Sequence, residues 1–180
     1  MIVVKVGGSL FDHPRLGPGL TAFLDHFTEP VVLVPGGGLV ANTVRTLDRL
    51  HHLGEETAHW VALRSLGVTA EFLERLLPKR EHIRVLDVVA FAIADDRKPD
   101  ALPHAWSVTS DSLAARAATV LGAARLVLLK SVAIPAGTAW EDAAKRGWVD
   151  NHFPVAIRKS SLAVEAIQFR DWLDFHGFGA

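Results

Sequence analysis

Two glycine-rich segments of this chain have the composition of phosphate-binding loops. A Lys-x-Gly-Gly-Ser sequence occupies residues 5–9 after one apolar run, and Pro-Gly-Gly-Gly occupies residues 35–38 after another. Glycine at the end of a strand lets the backbone turn tightly and brings its N–H groups close to an anion. The ammonium group of Lys5 adds a positive charge at the same edge. Two such loops on neighbouring strands would converge on one polyphosphate or on two facing phosphates, which indicates a phosphate-handling α/β protein.

Each glycine segment also has a simpler explanation. The pair Gly7 and Gly8 fits an ordinary β-turn, and neither segment matches the Walker A sequence or the dinucleotide-binding Gly-x-Gly-x-x-Gly. The triplet Gly36, Gly37 and Gly38 is harder to explain without a ligand, because consecutive glycines lose much backbone entropy on folding. A helix that begins at the triplet would offer an anion both free N–H groups and its dipole. The triplet therefore favours an anion site more strongly than the pair does.

Two segments in the second half of the chain offer polar side chains for the same chemistry. The sequence Thr-Ser-Asp-Ser at residues 109–112 is typical of a helix N-cap, and Asp111 is also suited to orient lysine side chains around a transferred phosphoryl group. Lys130 and Ser131 follow an apolar run and would lie at the carboxyl edge of the sheet, where open α/β folds bind ligands. A plain strand end would have the same sequence, so both interpretations stay open.

Aromatic residues at the start of a long predicted helix are a further candidate for substrate contact. His59 and Trp60 are adjacent there. A single tryptophan is most often part of the core. Trp60 therefore either packs in the core or forms a wall against a ring-shaped substrate.

The elements that would position these residues alternate between strand and helix. Runs of β-branched and apolar residues predict strands at residues 2–6, 31–34, 83–85 and 126–129, and a weaker one at 162–169. Helical spacing predicts helices at residues 16–27, 39–53, 56–77 and 113–121, with loops at 97–104 and 135–139 and a break at Phe153-Pro154. Continuously apolar strands are typical of a mainly parallel sheet that is covered on both faces. The predicted fold class is α/β, a three-layer α/β/α sandwich in which residues 1–180 form one domain.

The composition narrows the classes of partner and site. The chain has 180 residues and a formal net charge of −1, which gives no support to a nucleic-acid-binding surface. It has no cysteine, so disulfides, thiolate metal sites and a cysteine nucleophile are excluded. We expect a cytoplasmic protein with no membrane partner, because no apolar run approaches a membrane span and the first ten residues do not form a signal peptide. The apolar segment 56–77 indicates a possible homodimer, although a buried helix would look the same.

The three motifs together resemble the amino-acid kinase superfamily. They are Lys-x-Gly-Gly-Ser at residues 5–9, Pro-Gly-Gly-Gly at 35–38 and Thr-Ser-Asp at 109–111, and the resemblance extends from residue 2 to about residue 175. That superfamily includes acetylglutamate kinase, aspartokinase, glutamate 5-kinase, uridylate kinase and isopentenyl phosphate kinase. Residues 58–60, 108–112 and 147–154 look most like a small branch that phosphorylates an aminomethylfuran-methyl phosphate in methanofuran biosynthesis.

The resemblance implies an ATP-dependent phosphoryl transfer with Mg²⁺, in which the N-terminal half binds a small-molecule phosphate acceptor and the C-terminal half binds the nucleotide. It implies that Lys5 contacts the transferred phosphate and that Asp111 holds the catalytic lysines in position. The other implied contacts fall into two groups. The nucleotide would be bound by Gly7, Gly8, Ser9, Lys130 and Ser131. The acceptor would be bound by Gly36, Gly37, Gly38, His59, Trp60 and Thr109.

The chain departs from the superfamily pattern in two places. The Asp-x-Asp-Gly type of segment that lines the nucleotide pocket is replaced by residues 131–135, Ser-Val-Ala-Ile-Pro, which carry no carboxylate. The late Gly-Gly-Met-x-x-Lys stretch is also missing, and Lys130, Lys145 and Lys159 are candidates to replace its lysine. Two alternatives therefore remain. One is a non-catalytic ligand-binding or storage protein on the same fold, and the other is a kinase for an amino acid or a nucleotide.

Overall fold

The fold is built on a five-stranded parallel sheet. The computed structural model describes residues 1–158 and 160–179. The strands are β1 (Ile2–Val6), β2 (Val31–Pro35), β3 (Ile83–Val85), β4 (Arg125–Lys130) and β5 (Ala163–Gln168). They are arranged in the order β3-β2-β1-β4-β5, and every neighbouring pair is parallel. The central strand β1 therefore lies between β2 and β4, with Lys5 in register with Val34 on one side and Leu128 on the other.

Helices connect the strands and cover both faces of the sheet. A 3₁₀ turn (Gly8–Leu10) follows β1 directly. The α-helices are α1 (Leu16–Leu24), α2 (Gly38–His51), α3 (Glu55–Leu76), α4 (Val88–Asp95), α5 (Ser110–Val120), α6 (Trp140–Lys145), α7 (Phe153–Arg158) and α8 (Phe169–Phe175). Within the described residues, no helix combines the length and the apolar character that crossing a bilayer requires.

Alternate residues of each central strand enter two separate apolar layers. On one face, Val3 and Leu126 pack with residues of α5, including Leu113 and Ala117. On the other face, Val4 and other strand residues pack with apolar residues of α1 and α8. The core residues of both layers are buried, which explains why the central strands β1, β2 and β4 are mostly apolar in sequence. The predicted three-layer α/β/α sandwich is confirmed.

The predicted strands agree with the observed ones to within two residues at each end. Four helices were not predicted: α4, α6, α7 and α8. Phe153-Pro154 was expected to break the chain but instead begins α7, where proline is tolerated because the first helical turn does not use its N–H groups. The weak strand predicted over residues 162–169 ends at Gln168, and Phe169 begins α8.

Candidate active site

The carboxyl ends of β1, β2 and β4 meet at one edge of the sheet, and the two glycine segments pack directly against each other there. A Cβ atom added to Gly8 would lie 2.2 Å from the backbone nitrogen of Gly38, and one added to Gly36 would lie 2.3 Å from the backbone nitrogen of Gly8. Glycine is thus required for contact between the two loops. Packing between the loops is therefore a second reason for glycine here, and the predicted approach of a ligand to the triplet stays a prediction. The two segments do converge, as expected from their place at the ends of neighbouring strands.

A carboxylate between two lysines lies at this edge, inside the protein. One oxygen of Asp111 is 2.7 Å from Nζ of Lys5, and the other is 2.9 Å from Nζ of Lys130. The side chains of Lys5 and Asp111 are each 5% exposed and that of Lys130 is 11% exposed. Lys5 belongs to β1, Lys130 ends β4 and Asp111 lies in the first turn of α5. We call these three side chains the lysine–aspartate centre.

Charge in the lysine–aspartate centre is set by the balance between burial and ion pairing. Burial alone would raise the pKa of Asp111, but the charges of Lys5 and Lys130 outweigh it and hold that pKa below its ordinary value. Burial, together with the charge of Lys5, lowers the pKa of Lys130 to about 8, and Asp111 offsets only part of this. Near neutral pH the centre carries two ammonium groups and one carboxylate, which leaves one positive charge to offer an anion.

The helix that carries Asp111 is capped by a distant carboxylate. Thr109 is the N-cap residue of α5, but its own side chain makes no cap hydrogen bond. Asp150 accepts hydrogen bonds from the backbone N–H groups of Thr109 and Ser112, each at 2.9 Å, and from both of their hydroxyl groups. It also accepts from the N–H groups of His152 and Phe153 at the start of α7. Asp150 thereby fixes the first turn of α5, and with it Asp111, to the C-terminal part of the fold.

A cavity of about 510 Å³ opens from this edge of the sheet. Asp111, Gly8, Gly37 and Gly38 line its inner end, and residues 147 and 149–151 approach from the C-terminal half. The volume is in the range of small-molecule sites. The cavity therefore joins the lysine–aspartate centre to a space large enough for a metabolite.

Aromatic rings and charged groups form the outer wall of the cavity. The imidazole rings of His59 and His104 stack with centroids 4.3 Å apart, and the Trp60 ring meets His104 edge-on at 5.2 Å. Nδ1 of His104 contacts Glu56 at 2.5 Å, and its Nε2 contacts Asp96 at 2.7 Å. Because each nitrogen faces a carboxylate, the ring is held as an imidazolium.

The two stacked histidines differ in protonation. Burial would lower the pKa of His104, but the hydrogen bonds and charges of Glu56 and Asp96 outweigh this and raise it. Burial and the charge of His104 lower the pKa of His59 to about 4, so His59 is neutral at pH 7. The wall therefore presents one cationic and one neutral imidazole.

Most of the residues predicted for the site lie around this edge and this cavity. His59, Trp60, Thr109, Ser9, Gly8, Gly37 and Gly38 line the cavity. The N–H group of Gly7 donates to the carbonyl of Leu129 and that of Gly36 donates to the carbonyl of Val6, so neither is free for a ligand. The hydroxyl groups of Ser9 and Ser131 hydrogen-bond to each other at 2.7 Å.

Of the three lysines considered as replacements for the missing one, the structure places one at the centre. Lys130 contacts Asp111, whereas Lys145 is 76% exposed and pairs with Asp142. Lys159 lies outside the described residues. No group of three or more His, Asp or Glu side chains within residues 1–158 and 160–179 is placed to hold a metal ion.

Sequence reasoning missed Asp150, His104 and Asp96 as site residues. Asp150 was noticed only as part of the segment 147–154, and its position 38 residues after Ser112 gives no local capping signal. The segment 97–104 was predicted only as a loop, but its residues Leu102 and His104 line the cavity. The one available hint was a histidine directly after the second of two prolines, at residues 99 and 103, and shortly before Trp106.

The chain is similar to known proteins in its fold and, more distantly, in its sequence. No protein-family model matches the chain. Uridylate kinase from Archaeoglobus fulgidus aligns with 93% of this chain and 90% of its own, with a TM-score of 0.61 and 16% sequence identity. The chain therefore shares the fold of that uridylate kinase. In sequence, the chain is 24% identical over 143 residues to [5-(aminomethyl)furan-3-yl]methyl phosphate kinase from Methanocaldococcus jannaschii. That match covers 73% of this chain and 66% of the relative, just under two thirds of its length.

The resemblance inferred from the three motifs is thereby confirmed, since both similar proteins are kinases of this superfamily. The solved structure supports the fold. The sequence relative is named for the reaction of the branch that residues 58–60, 108–112 and 147–154 resemble.

Proposed function

We propose that this protein is a small-molecule kinase, which transfers a phosphoryl group from ATP to a small anionic acceptor. The observation that carries the proposal is the buried lysine–aspartate centre, located where the two glycine segments meet and reaching the cavity through Asp111. Two ammonium groups held against this cavity-lining carboxylate are suited to the negative charge that spreads over a transferred phosphoryl group.

The centre is suited to positioning and charge stabilisation rather than to proton abstraction. Both oxygens of Asp111 are engaged by lysines, so this carboxylate keeps Lys5 and Lys130 in place and charged. In the transfer, an acceptor oxygen bonds to the γ-phosphorus of ATP while the bond to the β,γ-bridging oxygen breaks and ADP leaves. An acceptor phosphate is already largely deprotonated at pH 7, so its attacking oxygen does not need a base. An anionic acceptor therefore fits this centre better than an alcohol does.

Lys130 is the residue that replaces the late lysine of the superfamily pattern in this proposal. It ends β4, at the edge where Lys5 lies one residue before the end of β1, and both contact the same carboxylate. The pKa of about 8 keeps Lys130 mostly protonated at neutral pH. It can thus supply a second positive charge without any contribution from the missing stretch.

Nucleotide and metal would be held jointly by the glycine segments and the lysines. ATP phosphates fit against Gly8 and Ser9, close to Lys130 and Ser131, where backbone and side-chain donors face the same edge. Mg²⁺ commonly binds through substrate phosphates and waters rather than through a cage of protein ligands. It would neutralise charge on the phosphates that it accompanies.

The acceptor occupies the cavity in this proposal, and its phosphate lies at the N-terminus of α2. That helix begins at Gly38 after the N-cap Gly37, with no side chain capping it, and Arg45 faces the cavity from the same helix. Free N–H groups at a helix start favour phosphate. We propose an aminomethylfuran-methyl phosphate as the acceptor, as in the methanofuran branch of one-carbon cofactor biosynthesis, on the basis of the name of the sequence relative.

An ADP-release assay with Mg²⁺ tests the activity. The acceptor panel contains the aminomethylfuran-methyl phosphate, simple phosphate monoesters, glutamate and uridine monophosphate, so that amino-acid and nucleotide kinases are separate outcomes. We expect release to depend on a phosphate-bearing acceptor and to be lost in Lys5→Ala and Asp111→Asn. Lys145→Ala, at an exposed ion pair, should keep wild-type turnover.

A non-catalytic binding protein on the same fold is the second candidate. It is favoured by residues 131–135, which carry no carboxylate and in which Val132 is 41% exposed. That protein would bind the acceptor in the cavity but bind ATP·Mg²⁺ weakly or not at all. Calorimetric titration with ATP·Mg²⁺ decides between the two, since the kinase requires measurable binding. A cytoplasmic location and a homodimer remain predictions.

A further inference from the structure

We propose that Asp96 selects the acceptor by binding the cationic amino group that the proposed aminomethylfuran-methyl phosphate carries. This inference rests on the proposed function and deepens it by assigning a residue to substrate selection. It concerns the outer wall of the cavity, which the proposed role of the lysine–aspartate centre does not involve.

The hydrogen bonds of the cavity carboxylates single out Asp96. Four aspartates line the cavity: Asp95, Asp96, Asp111 and Asp150. Both oxygens of Asp95 receive hydrogen bonds from the Arg116 guanidinium, at 2.7 and 2.9 Å. Asp111 is engaged by two lysines and Asp150 by six donors. In the part of the chain that the structure describes, Asp96 alone among the four keeps an oxygen, Oδ2, that accepts no hydrogen bond.

The neighbours of Asp96 hold it in one place. It follows the last residue of α4, and its backbone N–H donates to the carbonyl of Ala92. Its Oδ1 faces Nε2 of His104, whose other nitrogen faces Glu56. The side chain of Asp96 is 34% exposed, so its second oxygen is accessible to a ligand. A carboxylate fixed in this way loses little freedom when it binds an ammonium.

The two ends of the cavity carry net charges of opposite sign. At the outer wall, two carboxylates, Glu56 and Asp96, share the single positive charge of His104, which leaves one negative charge. At the inner end, Lys5 and Lys130 share Asp111, which leaves one positive charge. A ligand with both charges would match both ends, whereas a phosphate monoester without an amino group would match only the inner one.

Rings at the outer wall suit a flat ligand. The face of the neutral His59 ring lies against His104, and Trp60 and Phe91 also line the cavity. An aromatic wall beside a carboxylate is suited to a planar ring that carries an ammonium, because rings attract flat groups and cations alike. The relative named for an aminomethylfuran phosphate acts on a molecule of this kind.

The test compares two acceptors on matched variants. One acceptor is the aminomethylfuran-methyl phosphate, and the other has a methyl group in place of the aminomethyl group. Calorimetry without ATP measures binding of each to the wild type, Asp96→Asn, Asp96→Glu and the control Asp87→Asn, which alters the exposed N-cap at the other end of α4. ADP release is measured on the same proteins.

We expect Asp96→Asn to weaken binding of the amino acceptor by about 10- to 100-fold, the loss typical of a charged hydrogen bond, and to change binding of the methyl acceptor little. Asp96→Glu should keep part of the preference, and Asp87→Asn all of it. Equal losses for both acceptors, or a wild type that does not prefer the amino acceptor, would overturn the assignment. Should Asp96→Asn fail to fold, the preference of Asp96→Glu decides: retention supports the assignment, and complete loss overturns it.

Failure of the kinase proposal gives a different pattern. A wild type that binds the amino acceptor selectively but releases no ADP contradicts the kinase and leaves Asp96 supported. Turnover of both acceptors at equal efficiency supports the kinase and overturns the role of Asp96.

Discussion

Replacing Asp111 by Asn should destabilise the protein by about 3–5 kcal/mol at pH 6, because removing one partner of a buried ion pair leaves the other charge uncompensated. The carboxylate is 2.7 Å from Nζ of Lys5 and 2.9 Å from that of Lys130, and none of the three side chains is more than 11% exposed. Asn keeps the shape of the side chain but offers one neutral acceptor oxygen to two ammonium groups. The destabilisation thus measures how strongly the two lysines depend on the carboxylate.

The loss should shrink as the pH rises, and the reason is the titration of Lys130. The pKa of Lys130 in the wild type is about 8, and the negative charge of Asp111 raises it. Removing that charge in Asp111→Asn therefore lowers the pKa of Lys130 further. Between the new pKa and about 8, the unfolded variant binds one more proton than the folded variant, so the variant alone gains stability as the pH rises. The gain is about 1.4 kcal/mol per pH unit. Above pH 8 the wild type gains at the same rate, and the difference becomes constant.

Urea unfolding at pH 6, 7, 8 and 9, followed by tryptophan fluorescence, measures these differences. Asp142→Asn is the control, since its pair with Lys145 is 57% and 76% exposed and should contribute less than about 0.5 kcal/mol. Adding Lys130→Met to Asp111→Asn should recover part of the lost stability, because it removes one uncompensated charge. A loss below about 1 kcal/mol at pH 6, or no dependence on pH, would refute the reasoning that the carboxylate compensates two buried charges.

Three further predictions concern the same edge of the sheet. The value of kcat/KM should fall as the pH rises through about 8, because the free enzyme then loses the proton of Lys130; a pH profile that stays flat to pH 10 would contradict this. Asp150→Asn should cost about 2–3 kcal/mol in urea unfolding and lower kcat, since six hydrogen bonds converge on that carboxylate, whereas the local cap variant Asp87→Asn should cost about 1 kcal/mol and leave kcat unchanged. Gly8→Ala should abolish turnover and lower the melting temperature, because its Cβ would lie 2.2 Å from the backbone of the other glycine segment. Gly67→Ala, at a helical position where the added Cβ would meet no atom within 4 Å, should raise the free energy of unfolding by about 0.5–1 kcal/mol. Equal effects of the two substitutions would contradict the packing argument.

The sheet could be predicted because its central strands are recognisable in the sequence as runs of apolar residues. Residues 31–34 and 126–129 are continuously apolar and residues 2–6 are interrupted only by Lys5, and in the structure all three runs are buried on both faces between two helical layers. The short helices α6 and α7 could not be predicted, since six residues are too few to show a helical period. Helix α4 has eight residues, and most of its positions are apolar. It has therefore no polar face that would distinguish it from a strand.

The centre of the site was predictable to the extent that its residues belong to motifs. Lys5 and Asp111 each lie within a short recognisable sequence, and the topology of a parallel sheet brings the ends of their elements together. The role of Lys130 could not be chosen from sequence, because the choice among three lysines depends on which one reaches Asp111. Asp96 and His104 act through contacts between α4, the following loop and α3, and such contacts leave no spacing to recognise in the chain.

The most direct test of the account is ³¹P nuclear magnetic resonance of the aminomethylfuran-methyl phosphate after incubation with the protein, ATP and Mg²⁺. We expect the acceptor signal to be replaced by the two coupled signals of a diphosphate as ADP accumulates, and neither change to occur with Lys130→Met. An acceptor signal that stays unchanged with the wild type, or full conversion with Lys130→Met, would contradict the claim that the lysine–aspartate centre transfers a phosphoryl group.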